Sequence, residues 1–278
     1  MIVYLDGAYL PHDEARVAVD DRGFLFGDGV YEVIRVRAGR PVAMTEHLQR
    51  MTEGLAALRI ELEDPGSLAT VAARLLEQNR LLDGDVTIYI QVTRGSAPRR
   101  HAFPDCEPTV YARAAPYTPH PDSFFTDGVA AITVGDDRWA RCDIKSTSLL
   151  ANVLANQRAH EAGAFEALFV RDGVVIEGSH SNLFAVFDGQ LVTYPASNYI
   201  LDGITRRQVF GFAARLGILA REGLIPLDRL WHAEELFLSG TTTEIMPIVR
   251  VDGRKILDGE PGPVTQKLLR EYREMVGE

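Results

Sequence analysis

The sequence predicts a two-domain protein of mixed helix and strand content, in the α/β (α+β type) class. Strand-like runs with alternating apolar residues occur in both halves of the chain, and amphipathic helical patterns lie between them. At 278 residues the chain is long enough for two medium domains. Residues 115–123 hold three prolines without an apolar period, which is typical of a linker. We therefore predict an N-terminal α/β domain at 1–116, a linker at 117–122 and a C-terminal α/β domain at 123–278.

The N-terminal domain is predicted to combine a strand-rich start with two amphipathic helices. Asp6-Gly7 is a hairpin signal. The stretch 20–29 contains three glycines and leads to Tyr31 at the start of a strand. Apolar residues of the first helix form one buried stripe, next to which Arg50 lies. The predicted elements after the hairpin are a strand at 30–36, a helix that Thr45 precedes, a helix at 67–82 and a strand at 86–93.

A loop rich in cationic side chains follows the last of these strands. Residues 94–101 hold four side chains that are or can become cationic, namely Arg94, Arg99, Arg100 and His101. On a chain with a net charge of -10, such a cluster is a candidate clamp for a small anion. For any one of these arginines, a solvated position in the loop stays an alternative.

The C-terminal domain is predicted to carry two hairpins and two turns rich in glycine and threonine. Residues 203–205 open a helix and residues 240–243 follow a strand, so both offer donors to a phosphate. An ordinary helix cap and an ordinary strand end are the alternatives. The predicted elements are a strand at 129–134, a helix at 146–162 that Gly163 ends, hairpins at Asp172-Gly173 and Asp188-Gly189, a helix with Val209, Phe210, Ala213 and Leu216 on its apolar face, and a strand at 236–239.

Composition argues against several classes of function. The net charge of -10 disfavours nucleic acid or an anionic membrane as the main partner. Cys106 and Cys142 are the only cysteines, too few for a disulfide framework or a cysteine-based metal site, so we expect no metal and a reducing compartment. No apolar run is long enough to span a bilayer and no signal-peptide pattern opens the sequence, so we expect a cytoplasmic protein.

Lys145 is the most unusual residue of the chain. Only three of the 29 basic residues are lysines, and Lys145 is the only one in the first 254 positions. An amine can lose its proton and form a Schiff base with a carbonyl, which a guanidinium group cannot do. Trp139 and Ile144 before it and the Ala/Leu-rich run 149–155 after it would desolvate the ammonium and lower its pKa. An ordinary lysine at a strand end is an equal alternative.

Lys145, the two phosphate-binding candidates and Glu177 together match the needs of pyridoxal 5′-phosphate. This cofactor requires a lysine for its aldehyde, donors for its phosphate and an acid that keeps its pyridine nitrogen protonated. Glu177 lies between the two hairpin turns, where a solvated carboxylate is the ordinary alternative. Because all these residues fall in the predicted C-terminal domain, one cofactor site is the favoured interpretation.

A long motif extends over three stretches of the second half of the chain. It comprises Glu177-x-Ser179-x-x-Asn182-Leu183-Phe184, Leu191-x-Thr193 and Leu201-x-Gly203-Ile204-x-Arg206. Through this motif the chain resembles the class IV (fold type IV) pyridoxal-phosphate aminotransferases over nearly its whole length, which implies their two-domain fold type IV architecture. Within that family it is most similar to the bacterial D-amino-acid aminotransferases, through Asp28-Gly29-Val30-Tyr31-Glu32-Val33, Gln91-Val92-Thr93-Arg94-Gly95, Arg138-Trp139 and Arg141-Cys142-Asp143-Ile144-Lys145-Ser146.

The resemblance implies a role for each matching residue. Lys145 would be the catalytic residue, which forms a Schiff base with the cofactor and moves the substrate's α-proton, and Glu177 would pair with the pyridine nitrogen. The other implied cofactor contacts are Arg50, Ile204, Thr205 and Thr241 at the phosphate and Leu201 at the ring. The implied substrate-binding residues are Tyr31, Val33, Arg99, His101, Ser179 and Thr242.

The same resemblance implies how the protein assembles, and this chain departs from the family's pattern at two positions. Tyr31, Arg99 and His101 match the carboxylate-binding set of the D-amino-acid enzymes, in which the Arg/His loop reaches in from the other subunit. A homodimer with an active site shared across its interface is therefore implied. His180 stands where a serine is usual, and Gly240 stands where a hydroxyl residue often supports the phosphate.

The expected function is ping-pong transamination between D-amino acids, such as D-alanine and D-glutamate, and 2-oxo acids, such as 2-oxoglutarate and pyruvate. The alternatives on the same cofactor are a branched-chain L-amino-acid aminotransferase, an (R)-amine transaminase and an aminodeoxychorismate lyase. A protein that binds small anions without catalysis is the alternative from another class. Arg99-x-His101 favours the D-amino-acid enzyme, because an amine substrate has no carboxylate to bind.

Overall fold

A computed structural model describes residues 1–277, and its mixed helix and strand content confirms the predicted fold class. By its internal contacts the chain divides into two compact units. The first comprises Met1–Pro119 and Ile144–Leu149, and the second comprises the described residues 120–143 and 150–277. The linker at 117–122 stays a prediction, because a division by contacts does not test whether the two parts fold independently. None of the described helices is long and apolar enough to cross a membrane.

The first unit is built on a six-stranded antiparallel sheet in the order β2-β1-β6-β5-β3-β4. On the even-numbered face of β3, Ile34 and Val36 pack with α2 and α3 in the core. Tyr31 and Val33 alternate with them and therefore lie on the opposite face. The elements are β1 (Ile2–Leu5), β2 (Ala8–Pro11), α1 (Arg22–Phe26), β3 (Gly29–Arg37), β4 (Arg40–Pro41), α2 (Met44–Leu58), a short 3-10 helix (Pro65–Ser67), α3 (Leu68–Gln78), β5 (Asp85–Thr93) and β6 (Thr109–Pro116).

Two helix ends of the first unit differ from the prediction. Thr45 lies inside the first turn of α2, because the cap is Ala43 with a left-handed φ of 54°. The second helix ends at Gln78 rather than at 82. Its end is fixed by Asn79, whose side-chain amide donates to the carbonyls of Leu75 and Ile2. Such a contact between residues 77 positions apart is not visible in a local helical pattern.

The second unit is built on a ten-stranded mixed sheet in the order β12-β11-β10-β14-β15-β7-β8-β9-β13, with β16 beside β15. Because β9 also pairs with β10 through Glu177 and Asn182, the six strands β7, β8, β9, β10, β14 and β15 form a closed ring. The elements are α4 (Asp122–Thr126), β7 (Val129–Gly135), α5 (Leu150–Glu161), β8 (Glu166–Arg171), β9 (Val174–Gly178), β10 (Asn182–Phe187), β11 (Gln190–Thr193), α6 (Ile204–Arg215), β12 (Ala220–Glu222), β13 (Ile225–Pro226), a 3-10 helix (Leu227–His232), β14 (Glu235–Gly240), β15 (Glu244–Val251), β16 (Arg254–Lys255) and α7 (Pro263–Val276).

The helix predicted at 146–162 begins four residues later, at Leu150. The preceding residues run beside β3, where Ser146 forms a bridge with Val30. The Tyr31 N–H donates to the Lys145 carbonyl at 3.0 Å, and the Thr147 N–H donates to the Gly29 carbonyl at 3.0 Å. These backbone bonds explain why Ile144–Leu149 belongs to the first unit. Lys145 is thereby placed beside Tyr31.

The three predicted hairpin turns are confirmed. Each is an Asp-Gly pair in which both residues have a positive φ, at 6–7, 172–173 and 188–189. This conformation is the one a two-residue hairpin turn requires, and Asp-Gly adopts it readily. The apolar face of α6 is partly corrected, since Phe212 is buried in the core whereas Phe210 and Leu216 are only partly buried.

Candidate active site

In the first unit, the side chain of Lys145 lies over an aromatic ring. Its Nζ is 4.4 Å from the centroid of the Tyr31 ring, which in turn stacks on Tyr89 with centroids 5.7 Å apart. An ammonium group over a ring face is stabilised by the ring's quadrupole. The structure therefore brings together Lys145 and Tyr31, two of the residues singled out in the sequence. Val33 follows Tyr31 on the same face of β3.

The apolar enclosure expected around Lys145 is not what the structure shows. Trp139 is 47% exposed, and Leu150, Val153 and Leu154 are each more than half exposed. Only Ile144 among the flanking apolar residues is in the core of the first unit. The apolar run after Lys145 therefore presents a surface rather than a pocket wall.

Arg50 is part of a buried cluster around Glu32. Its Nε donates to Glu32 Oε1 and its Nη2 to Glu32 Oε2, both at 2.8 Å, and His47 Nδ1 lies 2.7 Å from Oε2. Burial alone would raise the pKa of the fully buried Glu32, but the hydrogen bonds from Arg50 and His47 outweigh it and lower that pKa to about 2. Arg50 is therefore held by a fixed carboxylate on β3.

Sequence reasoning missed Glu32 and His47 and placed Arg50 beside the buried stripe of α2, whereas Arg50 is itself buried. One signal was available. Glu32 shares the helix-facing side of β3 with Ile34 and Val36, and a carboxylate at a core position requires a partner. Arg50 and His47, on the facing helix, supply that partner.

The cationic loop separates into buried and exposed members. Arg94 is buried and donates two hydrogen bonds to Asp28, through Nε at 2.8 Å and Nη2 at 3.0 Å. Arg99 and His101 are exposed and lie against Phe26, with the Arg99 Cζ 4.9 Å and the His101 ring centroid 5.7 Å from the Phe26 centroid. Arg94 therefore has a structural partner, whereas Arg99 and His101 share one aromatic ring at the surface.

In the second unit, Glu177 is buried at the seam where β9 meets β10. Arg138 Nη1 donates to its Oε1 at 2.6 Å, and the Asn182 side chain and the Leu201 N–H donate to its Oε2 at 3.1 and 3.2 Å. Burial raises the pKa of Glu177 to about 7, although the charge of Arg138 opposes this. The solvated alternative for Glu177 is therefore wrong. Arg138 and Asn182 lay within the motifs, but their contact with Glu177 could not be read from spacing.

The turn after Glu177 wraps around a second buried carboxylate, Glu166. The Ser179 hydroxyl donates to Glu166 Oε1 at 2.5 Å and the Ser181 hydroxyl donates to Oε2 at 2.7 Å. His180, the departure from the usual serine, places its Nδ1 2.9 Å from Glu166 Oε2. Burial would raise the pKa of Glu166, but the charge of His180 and hydrogen bonds from His180, Ser179 and Ser181 lower it. His180 thus contacts the same buried carboxylate as the two serines of the turn.

Two backbone segments of the second unit offer donors to a phosphate. Helix α6 starts at Gly203 without a side-chain cap, and its first residues, Ile204 and Thr205, are buried. A Cβ on Gly203 would lie 2.3 Å from Asn182 Oδ1, so a larger residue there would force the Asn182 side chain to shift. In the other segment, a Cβ on Gly240 would lie 3.1 Å from Thr243 Oγ1.

The second segment also contains an orphaned hydroxyl. Within residues 1–277, the buried Ser239 hydroxyl has no hydrogen-bond partner. Thr241 and Thr242 are partly buried beyond it, and the Thr241 carbonyl accepts from the Tyr272 hydroxyl at 3.2 Å. The donor sets of the two segments and the buried acid Glu177 fit a pyridine cofactor that carries a phosphate. Among the described residues no cluster of His, Cys, Asp or Glu is arranged to hold a metal ion.

Comparison with known proteins decides the family. The model of amino-transferase class IV matches residues 29–251. The chain belongs to the class IV aminotransferases. It is 39% identical to the D-alanine aminotransferase of Staphylococcus haemolyticus over 99% of this chain and 97% of that protein. It is 40% identical to the D-alanine aminotransferase of Bacillus licheniformis over 96% of this chain and 94% of that protein.

Solved structures agree with this membership. The branched-chain aminotransferase of the archaeon Thermoproteus uzoniensis is similar with a TM-score of 0.90 and 29% identity, over 100% of this chain and 95% of that one. A second branched-chain amino acid aminotransferase, solved with pyridoxamine 5′-phosphate, has a TM-score of 0.91 and 29% identity, over 99% of this chain and 93% of that one. This class IV aminotransferase has the fold type IV architecture and uses pyridoxal 5′-phosphate. The resemblance drawn from the sequence motifs is thereby confirmed.

Proposed function

We propose that this class IV aminotransferase transfers amino groups between D-amino acids, such as D-alanine and D-glutamate, and 2-oxo acids, such as 2-oxoglutarate and pyruvate. The observation that carries the proposal is the pairing of Arg99 and His101 around Phe26. An arginine and a histidine on one loop can both donate hydrogen bonds to a substrate carboxylate, which an amine lacks. Near-full-length similarity to D-alanine aminotransferases supports the same assignment.

The chemistry is divided between the cofactor and two side chains. When bound, pyridoxal 5′-phosphate supplies an aldehyde that amines attack and a ring that withdraws electrons from the substrate's α-carbon. We assign Lys145 as the covalent attachment point and as the base that carries the α-proton. We assign Glu177 to the pyridine nitrogen, where its carboxyl, oriented by Arg138 and Asn182, holds the ring proton.

The remaining predicted residues bind the cofactor or orient the substrate. The groups proposed to bind the phosphate are Arg50, which Glu32 holds in place, and, from the second unit, the Ile204 backbone, Thr205 and Thr241. Leu201 is proposed to contact the cofactor's ring. Because Thr205 is buried at the start of α6, the uncapped N–H groups there add donors. The proposed substrate-binding residues are Tyr31, Val33, Arg99, His101, Ser179 and Thr242.

We further propose a cytoplasmic homodimer in which residues 94–101 of one subunit serve the active site of the other. A stripe of exposed apolar side chains on α5 supports an association surface, since contiguous apolar patches on a monomer mark interaction sites. Its members are Leu150, Val153 and Leu154, which recur at steps of three and four residues. Both cysteines are free thiols, as a reducing compartment allows.

Single-enantiomer half-reactions test the proposed function. The purified holoenzyme is mixed with each enantiomer of alanine, glutamate and leucine and of 1-phenylethylamine, and the cofactor's absorbance is followed. We expect D-alanine and D-glutamate to convert the cofactor to its amine form. Conversion by L-leucine alone would instead identify a branched-chain enzyme, and conversion by (R)-1-phenylethylamine alone an amine transaminase. A chain that binds the cofactor but reacts with none of them would not be an aminotransferase of these classes.

A further inference from the structure

Asp28 joins two buried arginines beneath the cationic loop. Arg22 Nε and Arg94 Nε each donate to Asp28 Oδ2 at 2.8 Å, and Arg94 Nη2 donates to Oδ1 at 3.0 Å. Burial would raise the pKa of Asp28, but hydrogen bonds from Arg94 and Arg22 outweigh it and lower that pKa. Arg94 also donates to the Leu58 and Arg59 carbonyls at 2.7 and 2.9 Å. The first residue of the loop is therefore fixed to the body of the unit.

Arg22 connects this cluster to the far end of the loop. Its Nη1 donates to the Arg100 carbonyl at 2.5 Å, and its Nη2 lies 3.5 Å from the His101 carbonyl. Because Arg22 is only 4% exposed, these contacts are made away from solvent. One guanidinium group thus holds Asp28 and the backbone of the two loop residues at the same time, a fork that a lysine ammonium cannot reproduce.

The ring of Phe26 contacts Arg22 and both exposed residues of the proposed clamp. The Arg22 Cζ lies 4.8 Å from its ring centroid, the Arg99 Cζ 4.9 Å and the His101 ring centroid 5.7 Å. The ring is therefore shared by the buried arginine and by both exposed members of the proposed clamp. Contact with the ring restricts exposed side chains that would otherwise sample many rotamers.

We propose that Arg22 and Phe26 are positioning residues for carboxylate recognition: Arg22 fixes the backbone at Arg100 and His101, and Phe26 orients the side chains of Arg99 and His101. This inference rests on the proposed function, because it takes Arg99 and His101 as the groups that receive the substrate's carboxylate. Neither Arg22 nor Phe26 touches the substrate in this arrangement. Their effect on binding is transmitted through the loop.

The test uses two variants and one control in the holoenzyme. Arg22→Lys keeps the charge beside Asp28 but loses the fork, and Phe26→Leu removes the ring but none of the residues that form the buried ion pairs. Arg273→Lys is the matched control, because the Arg273 Nε donates to Glu244 at 3.1 Å and its Cζ lies 4.4 Å from the Phe125 ring centroid, in the other unit. Unfolding midpoints and bound-cofactor absorbance show that each variant is folded and loaded.

We expect Arg22→Lys and Phe26→Leu each to raise KM for D-alanine by roughly five- to fiftyfold, the range of a weakened charge-assisted contact, while kcat stays within about twofold. Tryptic cleavage after Arg99 and Arg100, which a loosened loop accelerates, should quicken in Arg22→Lys but not in Arg273→Lys. If neither variant raises KM by more than the control does, or if kcat falls alone, the proposal is wrong. Should the wild type not react with D-alanine, the proposed function fails, and the rate of tryptic cleavage in the loop still decides whether Arg22 positions it.

Discussion

The amine of Lys145 is the group on which the proposed reaction depends. Without it, no side chain at this position can attack the cofactor's aldehyde or carry the α-proton, so we expect Lys145→Ala to lose more than about a thousandfold in turnover. Borohydride reduction of the wild-type holoenzyme should fix the cofactor to the peptide that contains Lys145. Recovery of the label on Lys255 or Lys267 would refute the assignment.

Glu177 couples the stability of the cofactor-free protein to pH. Its pKa rises from an ordinary 4.5 to about 7 on folding, so its neutral form stabilises the fold fully below pH 4.5, and this contribution is lost as pH rises through 7. Between pH 5 and 8 we expect the free energy of unfolding of the wild type to fall by about 3 kcal/mol relative to Glu177→Gln.

Chemical denaturation of both cofactor-free proteins across this pH range measures the difference. Glu274→Gln, a change of an exposed glutamate on α7, is the control and should show no such divergence from the wild type. Parallel pH profiles for wild type and Glu177→Gln would mean that burial of this carboxyl does not shift its titration.

Arg99 is the residue whose loss should distinguish D-amino-acid transamination from amine transamination on the same cofactor. Losing a hydrogen bond to a charged group costs about 1.5–3 kcal/mol, so Arg99→Ala should lower kcat/KM for D-alanine by roughly ten- to a few hundredfold. Arg100→Ala is the matched control, since Arg100 is an exposed arginine in the same loop. An equal loss in both variants, measured by steady-state kinetics, would contradict the assignment of Arg99.

At the residue scale, the sequence revealed unusual residue types but not buried partners. Lys145 is rare in an arginine-rich chain, and Glu177 occurs in a long motif, so both could be singled out. The contact of Glu177 with Arg138 spans 39 positions and depends on the path of three strands. Burial and partnership of this kind arise only when the sheet has formed.

At the scale of elements, strands and hairpin turns were predicted well, and helix ends were not. Asp-Gly turns carry their own conformational preference, which makes them readable locally. The segment 146–149 has helix-compatible residues, yet its backbone pairs with β3 instead. Tertiary hydrogen bonds decided this boundary, and no local pattern reports them.

The start of α6 offers a sharp test of the phosphate site. In Gly203→Ala the new methyl group would collide with Asn182 Oδ1, whose amide also holds the Leu201 carbonyl and Glu177. Overpacking of this kind costs about 1–3 kcal/mol, so we expect cofactor affinity to fall roughly five- to hundredfold. Fluorescence titration of the cofactor-free protein with pyridoxal 5′-phosphate measures it.

Gly211→Ala in the same helix is the control for this substitution. A Cβ on Gly211 meets no atom within 4 Å, so the alanine should leave cofactor affinity unchanged and stabilise the helix by about 0.5–1 kcal/mol. If Gly203→Ala bound the cofactor as tightly as Gly211→Ala did, the start of α6 would not be part of the phosphate site.

For the whole molecule, a shared active site predicts complementation between inactive subunits. Lys145→Ala and Arg99→Ala homodimers are mixed and allowed to exchange subunits. Each hybrid dimer then has one site with both native residues, so about a quarter of all sites should be intact and D-alanine activity should recover towards that fraction. Activity that stays at the level of the unmixed variants, while mass spectrometry shows exchange, would place Lys145 and Arg99 of one subunit in the same site.

The closed ring of strands was beyond sequence reasoning, because β9 and β10 meet through a single residue pair, Glu177 and Asn182. Local patterns identify strands but not which distant strands become neighbours. The two compact units illustrate the same limit, since Lys145 lies beyond the predicted linker yet groups with the first unit.

That single pair also connects the proposed cofactor site to the closure of the ring. Within the ring each strand has neighbours on both sides, and strands without free edges do not recruit other chains. The seam at Glu177 is the narrowest junction, and Glu177 is the residue assigned to the cofactor's ring nitrogen. If this pair were lost, β9 would keep β8 and β13 as partners and β10 would keep β11 and β14, so the ring would open without freeing either strand. A ligand that binds only the native state stabilises it, so the cofactor, assigned to the residue that closes the ring, would hold the ring closed.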